Sequence, residues 1–297
     1  MIKPNINTVL LIFAFSRPTH ISKLLKSLFT NSEAFHIPIV IFIDGPRKNE
    51  DNLKINQVKE VIQKFKVNSK FMKIICRKQN LGCKENIISG VTEYLKIYES
   101  AIILEEDLVV DKYFLKYMLD SLSIYESSKK VFHISGYSFI TENASNKAIF
   151  SRLMNCWGWA TWRDRWELLN KDVNQIKKGF SKKDIFKFNI EGSHDYFRGI
   201  IENQSGTLKT WAVFWYATIF KLDGLCLTPT SSLVRNIGND GSGERYGDPF
   251  NKVYFKNVQI NDFPKELKED ADYLLKLVDY FKKKQSLIRT IVKNLIY

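Results

Sequence analysis

A chain of 297 residues with 44% hydrophobic and 13% aromatic side chains is long enough for one large domain or two small ones, and too apolar to stay disordered. Its formal net charge of +13 attracts polyanions, which fits nucleic acid, anionic lipid headgroups and phosphorylated substrates alike. The four cysteines, Cys76, Cys83, Cys156 and Cys226, show neither a C-x-x-C nor a Cys/His spacing, which speaks against a zinc module and for reduced thiols.

The apolar run from Val9 to Phe15 is too short for a secretory core and passes into Ser16-Arg17-Pro18 without a cleavage-like site. No stretch approaches the roughly 20 apolar residues of a membrane span, so a cytoplasmic protein is expected. Thr8–Phe15 reads as a buried strand, and Thr19–Phe29, with Ile21, Leu24, Leu25 and Leu28 at helical spacing, as a helix with Thr19 at its N-cap. Ile37–Ile43 predicts a second strand ending in the turn Asp44-Gly45-Pro46. Leu53–Phe65 then predicts a helix with Leu53, Val58, Val61, Ile62 and Phe65 inward. Phe71–Cys76 is a third strand, Asn80-Leu81-Gly82 a turn and Lys84–Tyr98 a third helix, leading into the apolar strand that starts at Ala101.

Strands alternating with helices imply parallel pairing with right-handed crossovers, hence an open α/β sheet. Ligands in such sheets gather at the carboxyl ends of the strands, where Arg17, Asp44, Arg77 and the triplet Glu105-Glu106-Asp107 all fall. Three adjacent carboxylates repel one another and are costly to desolvate together, so a cation, or a ligand carrying one, would neutralise them. Hard oxygen donors suit Mg²⁺ or Mn²⁺. Neither G-x-G-x-x-G nor G-x-x-x-x-G-K-[ST] occurs, which argues against a Rossmann dehydrogenase and a P-loop NTPase.

The order A-F-S-R-P, F-I-D-G-P, N-L-G-C-K-E-N, L-E-E-D-L-V-V, C-W-G-W-A-T-W and T-P-T-S-S-L-V-R-N-I-G-N-D-G-S-G, spread from Thr8 to Gly243, resembles the GT-A glycosyltransferases. More narrowly, it resembles bacterial polysaccharide transferases distantly similar to the N-acetylglucosaminyltransferase I family. The resemblance implies a GT-A fold: an open, mostly parallel central sheet flanked by helices. A transferase domain would span 1–250, with a nucleotide-sugar donor half at 1–111 and an acceptor half with a lid loop at 112–250. A C-terminal helical extension would fill 251–297. In that family the last acid of the triplet holds Mn²⁺ under the donor diphosphate, which implies Asp107 as the ligand of Mn²⁺ or Mg²⁺. Glu105 and Glu106 would support it or touch the sugar. Arg17 and Asp44 map onto donor-nucleotide contacts, with Ala14, Arg77 and Asn80 beside them on the same rim.

Past Asp111, Tyr113–Tyr125 predicts an amphipathic helix and Val131–Ile134 a further strand. Asn155–Trp166 holds four of the six tryptophans, a residue whose flat apolar face suits a sugar ring. Trp157 and Trp162 read as core, whereas the family's G-W segment makes Trp159 the candidate for the active-site floor. An inverting transfer needs a carboxylate to deprotonate the acceptor hydroxyl. Two segments compete for it: His194-Asp195-Tyr196-Phe197 keeps an aspartate among aromatics, whereas Thr210–Trp215 keeps the tryptophans and has no acid. Asp195 is the choice, with Glu191 and Asp164 behind it. Four glycines in Asn236–Gly247 suit a lid over the donor, with Arg235 or Arg245 meeting the diphosphate.

Leu274–Tyr297 combines Lys282-Lys283-Lys284, Arg289 and Lys293 with apolar residues at helical spacing, a pattern suited to an anionic leaflet. The implied activity is metal-dependent transfer of a sugar, from a UDP-sugar by preference, to lipopolysaccharide, capsule or another lipid-linked glycan, with inversion. It would take place peripherally on the cytoplasmic face of the inner membrane, with no nucleic-acid partner; the oligomeric state is open. Two alternatives stand beside it. One is a sugar-phosphate nucleotidyltransferase, whose glycine-rich triphosphate loop A-F-S-R-P lacks; the other is a non-enzymatic basic protein that binds glycan or nucleic acid.

Overall fold

A computed structural model describes residues 7–67, 69, 71–141, 145–242 and 254–296, with side chains as far as 287. The described residues up to 105 follow the expected alternation. Strand β1 (Thr8–Ala14) leads to α1 (Pro18–Leu28), β2 (Ile39–Ile43) to α2 (Asp51–Lys66), and β3 (Met72–Cys76) to α3 (Gly82–Leu95) and β4 (Ser100–Glu105). Helix α1 begins with proline in its first turn and Arg17 as N-cap, so Thr19 lies inside the helix and caps nothing. In α2 the inward residues are Ile55, Val58 and Ile62, whereas Leu53 is 69% exposed.

After β5 (Leu108–Val110) and α4 (Phe114–Ile124) come β6 (Val131–Ser135), β7 (Ala148–Ser151) and β8 (Trp159–Trp162). The short helices α5 (Arg163–Trp166), α6 (Val173–Gly179), α7 (Lys182–Phe188) and α8 (Tyr196–Ser205) follow. The chain then runs through α9 (Ala212–Lys221), β9 (Leu225–Pro229), β10 (Val234–Asn236) and α10 (Ala271–Ile296).

Eight strands form one sheet in the order β3-β2-β1-β4-β8-β6-β9-β7, and β5 pairs with β10 beside it. Strands β1 to β4, β6 and β9 share one direction, while β8 and β7 run against it. The sheet is therefore mostly parallel, as expected. Both faces are covered, and the alternation along β1 shows how: Leu10, Ile12 and Ala14 enter one core with Leu24, Val58 and Met118, while Val9, Leu11 and Phe13 enter another with Val91, Trp159 and Phe214.

The C-terminal segment belongs to these cores. Ile260 is buried in the first, and Tyr273, Leu277 and Phe281 of α10 in the second, so the packed body continues past the expected boundary at 250. No described helix is long and apolar enough to cross a membrane. None of the four cysteines is in a disulfide.

Candidate active site

Four parallel strands ending along one rim leave a cleft of about 460 Å³, lined by residues that follow β1, β2, β3 and β4 and, on the far side, by Cys156, Trp157 and Lys209 to Ala212. The acids stand at its floor because β4 is a buried, central, apolar strand whose carboxyl end must turn where water and ligands reach it. Glu106 is tied back to β1, its backbone N–H donating to the Phe13 carbonyl at 2.9 Å.

One guanidinium serves two of the acids. Arg17 Nε donates to Glu106 Oε1 at 2.7 Å and Nη2 to Asp107 Oδ2 at 3.0 Å, while the Phe15 N–H donates to Glu106 Oε2 at 2.8 Å. Burial raises the Glu106 carboxyl above its ordinary value, with Arg17 opposing that rise. For Arg17 burial works against the charge, and its ion pairs with Asp107 and Glu106 outweigh it, so the guanidinium stays protonated. Glu105 accepts from the Cys83 thiol at 3.5 Å. Cys83 is exposed on the open cleft, where the desolvating protein around it, and Glu105 after that, push the thiol's pKa up, so it stays protonated.

The described part of the glycine-rich loop folds over Asp107. Ile237 N–H donates to the Asp107 carbonyl at 2.8 Å. A Cβ on Gly238 would stand 2.5 Å from Asp107 Oδ2, so only glycine fits against the carboxylate. His20 Nε2 of α1 lies 3.3 Å from both the Ile237 carbonyl and an Asp240 carboxylate oxygen, which docks the loop. Asn236, Gly238, Asn239 and Ser242 line the cleft; Arg245 lies outside the described residues.

Ala14, Arg17, Asp44, Asn80, Glu105, Glu106 and Asp107 share this cleft. Asp44, however, is spent on the fold. Its Oδ1 accepts from Gly45 N and Leu81 N, each at 2.9 Å, and its Oδ2 from Gly82 N at 2.9 Å and Asn80 Nδ2 at 3.2 Å. It caps the start of α3 and locks two rim loops together, leaving little capacity for the ribose contact implied by resemblance.

The remaining expectations part from the cleft. Arg77 turns back over the Phe42 ring, 4.7 Å from its centroid, with Nε donating to Asn86. Arg235 lies over Phe255 because its strand neighbour Asn236 faces the cleft and alternate residues face apart. Trp159 is fully buried, stacked between His133 and Trp211; Trp157, expected in the core, is half-buried and lines the cleft.

None of the three acids expected as base reaches the cleft. Asp195 caps α8, its Oδ1 accepting from Arg198 N and Asn189 Nδ2, each at 3.1 Å. Glu191 pairs with Arg152 at 2.9 Å, and Arg152 also binds Glu269. Asp164 pairs with Lys129 and Arg165 at the opposite edge of the sheet, since β8 runs antiparallel to β4 with Trp162 beside Ser100.

Sequence reasoning missed Phe15, Arg47, Cys83, Asn86 and Lys209, all on the cleft wall. Arg47 stacks over the Phe15 ring at 4.7 Å, and the signal for both was their place beside Arg17 and Asp44 after β1 and β2. Of the two segments that competed for the base, the acid-free one, through Thr210, Trp211 and Ala212, is the one at the cleft.

Among the described residues no three His, Cys, Asp or Glu side chains converge as a metal cluster. A divalent cation completed by water and substrate phosphates needs only one or two carboxylates. Asp107, a hard donor with its side chain 18% exposed on the cleft and cradled by Gly238, fits that role.

The fold and this rim define an α/β protein with a polar ligand cleft at the carboxyl ends of its parallel strands. No family model and no curated protein matches the chain. Among solved structures it is similar to TarS 1-349 of S. aureus, at 9% identity and a TM-score of 0.43, over 77% of this chain and 59% of that one. It is also similar to the mannosyltransferase PcManGT from Pyrobaculum calidifontis, in complex with GDP-Man and Mn2+, at 9% identity and a TM-score of 0.41, over 73% of this chain and 69% of that one. The chain thus spans less than two thirds of the length of the TarS chain.

Proposed function

We propose that the protein is a glycosyltransferase moving a sugar from a nucleotide-diphosphate sugar, a UDP-sugar by preference, to a bacterial surface glycan carried on a lipid. One observation carries this: the triplet Glu105-Glu106-Asp107 forms the floor of a cleft with a basic and polar wall on the β1–β3 side and the Trp157–Trp211 wall on the other. The first wall suits a nucleotide diphosphate and the second the flat faces of sugars. A divalent cation held by Asp107 would stabilise the leaving diphosphate.

Arg17 and Arg47 orient the donor in this proposal, while Trp157 holds the acceptor, backed by the buried Trp211 stacked on Trp159. Direct displacement inverts the anomeric centre and requires a base facing the acceptor. Glu105 takes that part in this proposal: it lies two residues beyond Ile103 of β4, which pairs with Trp159 of β8, so the antiparallel register sets it beside Trp157 on the cleft. The distal half of α10, with Arg289 and Lys293 in its sequence, would rest on an anionic leaflet that presents the acceptor.

Calorimetry with UDP-, GDP- and CMP-sugars, with and without Mn²⁺, tests the reading. The expected result is Mn²⁺-dependent binding of one nucleotide class, kept in Glu105→Gln while its turnover falls by about 100-fold or more. A folded protein that binds none of these nucleotides would refute it.

A further inference from the structure

The Arg17 contacts have more to them than a donor site requires. An arginine reserved for phosphate would point its fork into the cleft, yet here the fork is occupied by Glu106 and Asp107, with side-chain exposures of 20% for Arg17 and 5% and 18% for the two acids. The two contacts differ in kind. Glu106 is fixed from three sides, by Arg17 Nε, by the Phe15 N–H and by its own backbone bond to Phe13. Asp107 is held by Nη2 at the longer distance of 3.0 Å and faces the cleft. Arg17 is the N-cap of α1 ahead of a proline, so movement of its side chain, not of the helix, is what lets Nη2 leave Asp107 while Nε keeps Glu106.

We propose that Arg17 is a resident counter-cation of the acidic floor, which competes with a divalent cation for Asp107 and, once displaced, turns Nη2 onto the donor's diphosphate. This rests on Asp107 being the cation's ligand, as proposed above. Two positive groups at one carboxylate repel each other, so the cation by itself binds weakly. A diphosphate relieves that repulsion by accepting the freed guanidinium, with which it forms charge-assisted hydrogen bonds. Cation and nucleotide therefore bind with positive coupling, and by linkage each strengthens the other by the same factor. Arg17 would then make binding of the pair close to all-or-none.

The test is Mn²⁺ binding in the absence of nucleotide, read by the loss of the free-ion paramagnetic resonance signal, in the native chain, Arg17→Gln and Asp107→Asn. Arg17→Gln, which keeps an amide to hydrogen-bond Glu106, should bind Mn²⁺ about tenfold or more tighter than the native chain, and Asp107→Asn should lose it. With UDP or GDP added, the coupling between Mn²⁺ and nucleotide should shrink in Arg17→Gln. Folding of each variant is checked by its thermal transition. If Arg17→Gln loses structure, Arg17→Lys supplies the answer, because a single ammonium keeps the charge but does not bridge both acids, and it should lower the coupling.

A folded Arg17→Gln that binds Mn²⁺ no tighter than the native chain, or a folded Arg17→Gln or Arg17→Lys that keeps its full coupling, overturns the proposal. The two proposals fail separately. Mn²⁺-dependent nucleotide binding without the gain in Arg17→Gln sinks the exchange and leaves the transferase. A gain in Mn²⁺ affinity with no nucleotide bound by any form sinks the transferase and supports competition at Asp107.

Discussion

The two halves of the sheet use their ends differently. In β3-β2-β1-β4 every strand runs the same way, so residues that follow each strand meet on one rim: Arg17 after β1, Asp44 and Arg47 after β2, Asn80 after β3 and the acids after β4. Beyond β4 the direction reverses in β8 and again in β7 at the far edge. There the residues before β8, Cys156 and Trp157, reach the cleft, while those after it, Asp164 included, sit at the far edge. The lesson is that a parallel half gathers chemistry by a rule, and an antiparallel insertion distributes it by register.

The strongest way to break this comparison is to exchange acids between the two edges. Asp107→Asn should lower transfer by about 1000-fold, or about 4 kcal/mol of transition-state stabilisation, and abolish cation-dependent nucleotide binding. Asp164→Asn should leave turnover within about twofold, costing only its ion pairs with Lys129 and Arg165 at a partly exposed position. Steady-state rates of both variants with one donor and acceptor decide it; an Asp164 effect as large as that of Asp107 would refute the assignment of edges.

Acid should weaken the second half through His133. The ring is buried, with Nε2 3.0 Å from the Asn155 carbonyl and Nδ1 accepting from Trp215 Nε1 at 3.2 Å, so the neutral form is fully bonded and a second proton would face an N–H donor. Burial, against a smaller contribution from Asn155, pushes its pKa down to about 3 from 6.5. The unfolded chain thus takes the proton first, and stability present above about pH 6.5 is lost as the pH falls toward about 3. By pH 4 the loss is about 3 kcal/mol. Denaturant unfolding across that range should show it, and His133→Gln should flatten the slope.

In the parallel half Asp44→Asn should cost stability, about 2 kcal/mol, because an amide cannot accept all four donors that the carboxylate serves. Nucleotide affinity should fall only through loosening of the rim, and a thermal shift without loss of binding would show it. The smallest effect separates two tryptophans two residues apart. Trp157→Ala should raise the acceptor KM by about tenfold and leave donor binding intact, while Trp159→Phe should cost about 1–2 kcal/mol of stability and leave KM unchanged.

The β-α alternation through residue 105, the rim and the acidic triplet were legible because local patterns dictate them: apolar strands, amphipathic helices, and polar residues where each strand must end. Trp157 and Trp159 exchanged their expected places because one lies in a loop and the next in a central strand, a boundary that a run of tryptophans does not mark. Asp195 read as a base from its aromatic neighbours, yet the same residue is an N-cap, and capping is decided by where α8 begins.

What the chain determined by itself is the order of elements, the two buried faces of the parallel strands and the carboxylates at their ends, since burial and strand period act over a few residues. What the tertiary structure alone decided is which groups share a charge and which wall faces the acids. Arg17 meets Glu106 and Asp107 across about 90 residues, and Lys209 to Ala212 reach the cleft from the connection that leads into α9, because assembly of the sheet, rather than any local pattern, sets those distances.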